Sequence, residues 1–369
     1  MLLSDICEII MGQSPSSDSY NVKGQGLPFF QGNADFGKLY PSVRLWCNCP
    51  IKKAEAGDLL VSVRAPIGAV NLANQKCCIG RGLAALRPYR DKCDAMYLYY
   101  LIKAGKNKLN WLGTGSTFKA ITRSSLLSFN VPDYCIAFQR KISGKLWSVD
   151  KLIHQRNEQL KLFDLLIQSR FIEMFGDSQS NPKGFPYKRI NEFAKCIAGA
   201  TPSTKRKEYW SNGIIPWMSS GEVNYKRIWE TEKRISQVGY DSCSTKMIPA
   251  HTVVIAMAGQ GRTRGTVAVA EIPLCTNQSL CSIITDGTVD TDYLFTYLQF
   301  QYNNLRNISN GSSGRGGLNI KLIGQFAVLV PPLAIQQKFS NFLKEIDKSK
   351  YGGTIFLRLL EDICICCNI

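Results

Sequence analysis

This chain carries most of its sequence features twice. "ICEIIMGQSPSS" (Ile6 to Ser17) returns in kind as "FAKCIAGATPSTK" (Phe193 to Lys205): an apolar run, then Gly, then a polar-Pro-Ser turn and a polar or basic stretch. "LPFFQGNADFG" (Leu27 to Gly37) answers "IPWMSSGEVNY" (Ile215 to Tyr225), and "AGDLLVSVRAPIGAV" (Ala56 to Val70) answers "AHTVVIAMAGQGRTRGTVAV" (Ala250 to Val269). Further on, "CCIGRGLAALRP" pairs with "CTNQSLCSII", "DAMYLYYLI" with "TDYLFTYLQ", and "FNVPDYCIAFQRKI" with "VLVPPLAIQQKF". Six pairings in one order, at a shift of roughly 190 to 200 residues, are not chance, and that period is far longer than any solenoid repeat. The chain is therefore two copies of one domain, each followed by a connecting segment.

Each copy mixes element types. "GDLLVSVR" and "HTVVIAMA" are short apolar runs bounded by Gly or Pro, which predicts strands. "LLSFNVP" and "QFAVLVP" alternate Leu127, Phe129, Val131 and Phe326, Val328, Val330, which predicts strands with one buried face. "AMYLYYLIKAG" and "DYLFTYLQF" have helical spacing behind a capping acid, Asp94 or Asp292. Two Gly-Ser loops also correspond. At a shift of 199, "GTGSTFKAI" (Gly113 to Ile121) matches "GSSGRGGLNI" (Gly311 to Ile320), with Ser116 opposite Arg315 and Ile121 opposite Ile320, each leading into an alternating strand. The expected fold class is α+β: two homologous, twisted, β-rich globules with helices, separated by long antiparallel coiled-coil-like helices.

The segment between the copies differs in kind. Ile142, Leu146, Val149 and Ile153, then Leu160, Phe163 and Ile167, recur in steps of four and three, broken in phase at Arg156, and no Pro occurs between Pro132 and Pro182. This predicts a heptad-like helix of roughly 30 to 35 residues, about 50 Å long. After the second copy, Gln336, Phe339, Phe342, Leu343 and Ile346 start another helix, which Gly352-Gly353 is expected to stop near Lys350, leaving an apolar, Cys-rich tail. The expected divisions are residues 1–135 and 177–333 for the two copies, 136–176 for the spacer, and 334–369 for a short C-terminal helix with its tail.

Lys and Arg number 45 against 28 for Asp and Glu, a formal charge of +17. Such a chain expects an acidic partner: nucleic acid, an anionic membrane or an acidic protein. No apolar run is long enough to span a bilayer. Met1 to Met11 lacks the basic start and cleavage site of a secretory signal, so a cytoplasmic protein is expected. The 14 cysteines do not suggest a metal site, since Cys47 and Cys49 lie too close, Cys77 and Cys78 are adjacent, and only His154 and His251 exist to complete one. Most are expected to be small buried hydrophobes.

Catalytic signatures are missing. "GSSGRGG" lacks the lysine of a phosphate-binding loop. "VPPL" has the wrong flanks for a methylase loop that holds a flipped base. "GTGSTF" does not fit a hydrolase elbow. Neither histidine has a nearby acid that suggests a catalytic pair. The chain reads as a binder. Two copies on a helical spacer suit bivalent recognition of duplex DNA, with basic charge supplying affinity and loop side chains reading bases.

The residues also carry a family resemblance. "GQSPSS" and "GATPST", "FFQGNADFG", "IPWMSSGEV", "CTNQSLC", the Val-Pro-Pro entry to a helix and "FIEMFGDSQSNPKGF", taken in order over about Met1 to Lys350, resemble the specificity subunit of type I restriction–modification systems. The resemblance implies two target-recognition domains, each reading one half of a split, asymmetric site in double-stranded DNA. It implies helices that dock two DNA methyltransferase subunits, with restriction subunits able to join. It also implies that this chain holds no cofactor: S-adenosylmethionine, ATP and Mg belong to the partners, which carry the adenine methylation and ATP-dependent cleavage. The short last helix departs from the family pattern and puts docking of the second methyltransferase subunit in doubt. Two other readings stay open, a non-enzymatic basic scaffold and a truncated, inactive specificity subunit. The missing motifs speak against a fused single-chain enzyme.

No catalytic residue and no metal ligand is expected. Candidate DNA contacts are Arg64 and Arg81 beside short strands, Ser116, Thr117 and Lys119 in the first Gly-Ser loop, and Ser312, Ser313 and Arg315 in the second. Lys205, Arg206 and Lys207 follow "ATPST", and Arg262 and Arg264 sit in "GQGRTRG", where Gly permits close backbone approach. An exposed cation is most often only a solvated surface charge. The spacer and docking candidates are Ile142, Leu146, Val149, Ile153, Leu160, Phe163 and Ile167 on the first helix and Phe339, Leu343 and Ile346 on the second.

Overall fold

A run such as Leu59-Leu60-Val61 has no polar alternation, so it suits a strand covered on both faces. The computed structural model describes residues 1–113, 119–259, 261–308 and 317–366, with side chains as far as Lys350. In it, strands Cys7–Met11, Leu83–Pro88, Leu59–Ser62 and Val70–Leu72 form one antiparallel sheet in that spatial order. Leu59 and Val61 face one way, into a core with Tyr97, Leu98 and Ile102 of helix Ala95–Ala104. Leu60 faces the other way, into a core with Phe30, Ile79 and Ala85. Phe30 and Ile79 belong to a second sheet, ordered Tyr20–Asn21, Leu45–Cys47, Leu27–Phe30, Cys77–Ile79, Lys53–Ala54, in which Leu27–Phe30 and Cys77–Ile79 run parallel.

The second copy repeats this plan. Strands Ala194–Ala198, Leu280–Thr285, Thr252–Ala256 and Val267–Ala270 lie in the same order, extended by Arg227–Ile228. Val253 and Ile255 meet Tyr293, Leu294 and Tyr297 of helix Thr291–Phe300, while Val254 and Ala256 meet Met218 and Leu280. Strands Lys233–Ile235, Ile215–Met218 and Cys275–Thr276 form the smaller sheet, again with a parallel pair. The duplication read from the sequence is thus a duplication of topology.

The first long helix is one element of 40 residues, Ile136–Phe175. The seam residues Ile142, Leu146, Val149, Ile153, Leu160, Phe163 and Ile167 are all half-buried, and so is Arg156. Arg156 therefore stays in phase, three residues after Ile153 and four before Leu160, and does not break the seam. The second long helix, Leu333–Cys366, has 34 residues and continues through Gly352 and Gly353. Two glycines weaken a helix by about 1 kcal/mol each relative to Ala, and the Leu- and Ile-rich sequence that follows is a better helix former. The helix does not end near Lys350. Contacts divide the chain into Met1–Gln159 with Gly353–Ile369, and Leu160–Gly352. Within the latter unit the long helices run antiparallel: the Phe339 ring lies 5.4 Å from Phe171 and 5.5 Å from Phe175, while Lys350 Nζ lies 2.6 Å from Asp164.

Three sequence expectations shift. Asp94 caps its helix, but the second cap is Asp290, not Asp292: Asp290 Oδ1 accepts the N–H groups of Asp292 and Tyr293. Short helices, Arg123–Leu127 and Ile320–Gly324, follow the Gly-Ser loops where strands were expected, because Thr122 and Asn319 cap them. In the alternating segments that come after, the pairing is brief: Ala327–Leu329 pairs with Tyr187–Arg189, and Leu2 bridges Asn130. The segments that follow the two loops correspond at a shift of 197, not 199. Ile121 N–H donates to Val63 O and Leu318 N–H to Met257 O, so Leu318 is the counterpart of Ile121. No helix among the described residues is long and apolar enough to cross a membrane.

Candidate nucleic-acid interface

One turn is built twice from the same backbone hydrogen bonds. In the first copy Gly80 N–H donates to Phe30 O (2.8 Å), Leu83 N–H to Gly80 O (3.0 Å), Gln13 N–H to Ile79 O (3.0 Å) and Val63 N–H to Gly82 O (2.9 Å). In the second, Asn277 donates to Met218 (3.1 Å), Leu280 to Asn277 (3.2 Å), Ala200 to Thr276 (2.9 Å) and Met257 to Ser279 (2.8 Å). The pairs show which side chains are equivalent. Arg81 stands where the second copy has Gln278, Arg64 where it has Ala258, and Ser14 where it has Thr201. All but Ser14 and Thr201 are exposed, and those two are half-buried.

Glycine is required where the Pro loop meets this turn. A Cβ on Gly12 would lie 2.2 Å from the carbonyl oxygen of Gly80, and one on Gly199 would lie 1.9 Å from that of Thr276. This close approach sets the following Ser14 or Thr201 against the turn. Ser14 Oγ accepts the backbone N–H of Arg81 at 3.3 Å, and the Thr201 hydroxyl donates to Gln278 Oε1.

The turn borders a cleft in each copy, mainly polar in the first and mainly apolar in the second. In the first, Ser14, Gln31, Asn33, Arg64 and Arg81 converge. In the second, Ala258, Gln278, Asn319 and Lys321 do so. Other arginines are committed to the fold. Arg44 pairs with Asp35. Arg87 holds Asp58 at 2.9 Å, and that hydrogen bond keeps its guanidinium above the ordinary range. Burial works against the charge of Arg227, but Asp292, Glu271 and Asp347 outweigh it and hold that guanidinium above its ordinary value. Among the described residues no carboxylate pairs with Arg64 or Arg81.

The remaining candidates scatter. Lys119 is exposed next to Ala120, which bridges Arg64 and so borders the first cleft. Lys205, Arg206 and Lys207 are exposed elsewhere on the second copy, with Arg206 3.6 Å from Glu208 and over the Tyr209 ring. Arg262 is exposed on a turn whose carbonyl accepts from the Thr266 and Tyr302 hydroxyls, and Arg264 is half-buried. Ser116, Thr117, Ser312, Ser313 and Arg315 lie outside the described residues. On the helices, Phe339 and Leu343 are buried in the second copy's core and serve packing, and Ile346 is buried as well. Leu162, Leu165, Leu166 and Ile172 of the first helix are instead exposed. Ser14, Gln31, Asn33, Thr201, Gln278 and Lys321 were not among the candidates. A search weighted toward arginine passes over neutral amides, yet aligning "CIGRGL" with "CTNQSL" puts Arg81 opposite Gln278.

Known proteins resemble this chain in sequence and fold. The family profile described as type I restriction modification DNA specificity domain matches residues 1–162 and 182–351. The putative type I restriction enzyme MjaX specificity subunit of Methanocaldococcus jannaschii is 44% identical over 152 residues, covering 41% of this chain and 36% of that protein. The MjaIX specificity subunit of the same organism is 22% identical over 372 residues, covering 93% of this chain and 85% of that one. The crystal structure of a type I restriction–modification S subunit from M. genitalium superposes with a TM-score of 0.68 at 15% identity, covering 100% of this chain and 94% of the other. A chain from a study of type I restriction–modification complex assembly and conformational transition superposes at 0.60 with 17% identity, covering 100% and 95%.

Proposed function

This chain belongs to the type I restriction–modification DNA specificity family, and from that membership we propose that it is the DNA-recognition subunit of such a complex. Each copy reads one half of a bipartite, asymmetric duplex site. The chain itself does no chemistry: adenine-N6 methylation with S-adenosylmethionine, and ATP- and Mg-dependent cleavage, belong to modification and restriction subunits. The observation that carries this reading is the turn built twice on the same backbone hydrogen bonds, with exposed Arg81 and Arg64 beside it in one copy and Gln278 and Ala258 at the equivalent places in the other. A duplicated frame with divergent lining suits a target whose halves differ in sequence. The charge of +17 supplies affinity for phosphates through counterion release. The exposed Leu162, Leu165, Leu166 and Ile172 offer a modification subunit an apolar strip on the first long helix.

Co-expression with the methyltransferase and restriction genes beside it, followed by mapping of methylated adenines, tests the function. A split, asymmetric motif that appears only with this chain supports it. No motif and no complex return the chain to a basic scaffold or an inactive subunit. Binding that hardly weakens between low and moderate salt also counts against DNA.

A further inference from the structure

We propose that Arg81 and Gln278 read bases, and that the two copies thereby select different bases from the same position: Arg81 a guanine in one half of the target, Gln278 an adenine in the other. The inference rests on the reading of the two clefts as DNA-contacting faces, and goes beyond it by naming the reader and the base in each half.

Position comes first. The matched hydrogen bonds of the turn place Arg81 and Gln278 one residue after Gly80 and Asn277, each at the tip of a turn between a short strand and a longer one. A backbone held this firmly presents a side chain in a reproducible direction, which direct readout requires. Both side chains are exposed, so neither serves the core.

Availability comes second. Arginines that stabilise this fold have carboxylate partners; among the described residues Arg81 has none, and its backbone is anchored through Ser14. Gln278 is prepared differently. The Thr201 hydroxyl donates to its Oε1, which fixes the plane of the amide and leaves one lone pair of Oε1 and both Nε2 hydrogens available.

Chemistry decides the bases. In the major groove guanine presents two acceptors, O6 and N7, which match the two parallel donors of a guanidinium. Adenine presents the N6 donor and the N7 acceptor, which match the acceptor and donor of a glutamine amide. One change of residue on a conserved frame thus changes the base read. Arg64 opposite Ala258 differs in the same sense, since the first cleft holds two guanidinium groups and the equivalent positions in the second hold none.

The test is selection from a duplex library with randomised positions, using the full chain co-expressed with its methyltransferase subunits. Wild type, Arg81→Gln and Gln278→Arg are compared. The expected result is a two-part motif for wild type. Arg81→Gln lowers the preference for guanine by roughly tenfold or more at one position of one part and raises adenine there, leaving the other part intact. Gln278→Arg does the reciprocal in the other part. If either variant unfolds at a lower temperature than wild type, Arg81→Ala and Gln278→Ala replace them, with loss of preference at the same positions expected. An unchanged motif, or binding weakened uniformly with base preferences intact, overturns the proposal while leaving DNA recognition standing. A wild-type chain that enriches no motif overturns the DNA reading itself.

Discussion

The side-chain carbonyl of Gln336 accepts the backbone N–H of Asp290 at 2.8 Å, and four residues along the same helix Ser340 donates to the Asp290 carboxylate. The first copy has the same pin: Gln139 accepts from Asp94 N–H at 3.0 Å and Ser143 donates to Asp94 Oδ1 at 3.0 Å. Each pinned Asp caps a helix of its own copy. The long helix is thereby keyed to the recognition domain by directional bonds, where apolar contact alone would let it slide. Gln336 is fully buried, and its Nε2 also donates to Pro331 O at 2.7 Å. Gln336→Ala therefore strands a partly buried N–H and a buried carbonyl and is expected to destabilise by about 2 kcal/mol or more. Urea unfolding at constant m-value checks it; a loss within a few tenths of a kcal/mol means that water replaces the amide.

Asp150 and Asp347 occupy equivalent places on the two long helices, seven residues beyond Ser143 and Ser340, but the partners differ. Asp150 meets Tyr100 and Lys103, and Lys103 is half exposed. Asp347 closes a cluster in which Arg227 also binds Glu271 and Asp292, with Glu271 only 2% exposed. Arg227→Ala takes the guanidinium from Glu271, which keeps only His251 Nδ1 at 3.0 Å, and from the mostly buried Asp292, and is expected to cost about 3–5 kcal/mol. Lys103→Ala removes a screened pair and should cost less than about 1 kcal/mol. Comparable losses in thermal or chemical unfolding for the two variants contradict the assignment.

Alkali is expected to unfold the protein through its buried thiols. Burial pushes Cys77 and Cys93 up from 9.0 to about 12. Above pH 9 the unfolded chain releases these protons and the folded chain does not, so the equilibrium moves toward unfolding. The stability they contribute is complete below the ordinary thiol pKa and is lost as pH climbs toward the folded value. Each such thiol costs about 1.4 kcal/mol at about pH 10. Melting temperature should be flat from about pH 7 to 8.5 and fall beyond it. Alkylation followed by peptide mapping offers a second check: Cys49 and Cys135 are exposed and should label in the folded protein, whereas Cys7, Cys77 and Cys93 should label only after unfolding.

The duplication was legible because strands tolerate many sequences but keep their order and their burial on both faces. The heptad seam was legible because a helix repeats its buried positions every three or four residues. Registration was harder. The shift between copies is 187 residues from Gly12 to Gly199 but 197 from Ile79 to Thr276, since the loops between them differ in length. Any single count therefore slips, as it did for Ile121 and Leu318. The pins were not legible, because Gln139 and Ser143 gain meaning only from Asp94, which lies 45 and 49 residues away. Arg64 and Arg81 stood out by charge; Gln278 and Thr201 emerge only once the turn is seen to be the same turn.

That turn also permits a test of whether the two copies act independently. Thr276 O lies where a Cβ on Gly199 would sit, at 1.9 Å, and the obstacle is backbone, so it cannot swing aside. Gly199→Ala is expected to push the Pro loop off the sheet and part Thr201 from Gln278. The Gln278 amide then loses its fixed plane, and with it the preference in one half of the target. Gly12→Ala should do the same for the half read by the first copy, since its Cβ would lie 2.2 Å from Gly80 O. The measurement is the enriched two-part motif of each variant, with stability followed alongside. Each substitution should blur one part and spare the other. Loss of both parts from either change means that the halves are not read separately, and two unblurred motifs mean that the Pro loop does not position the reading residues.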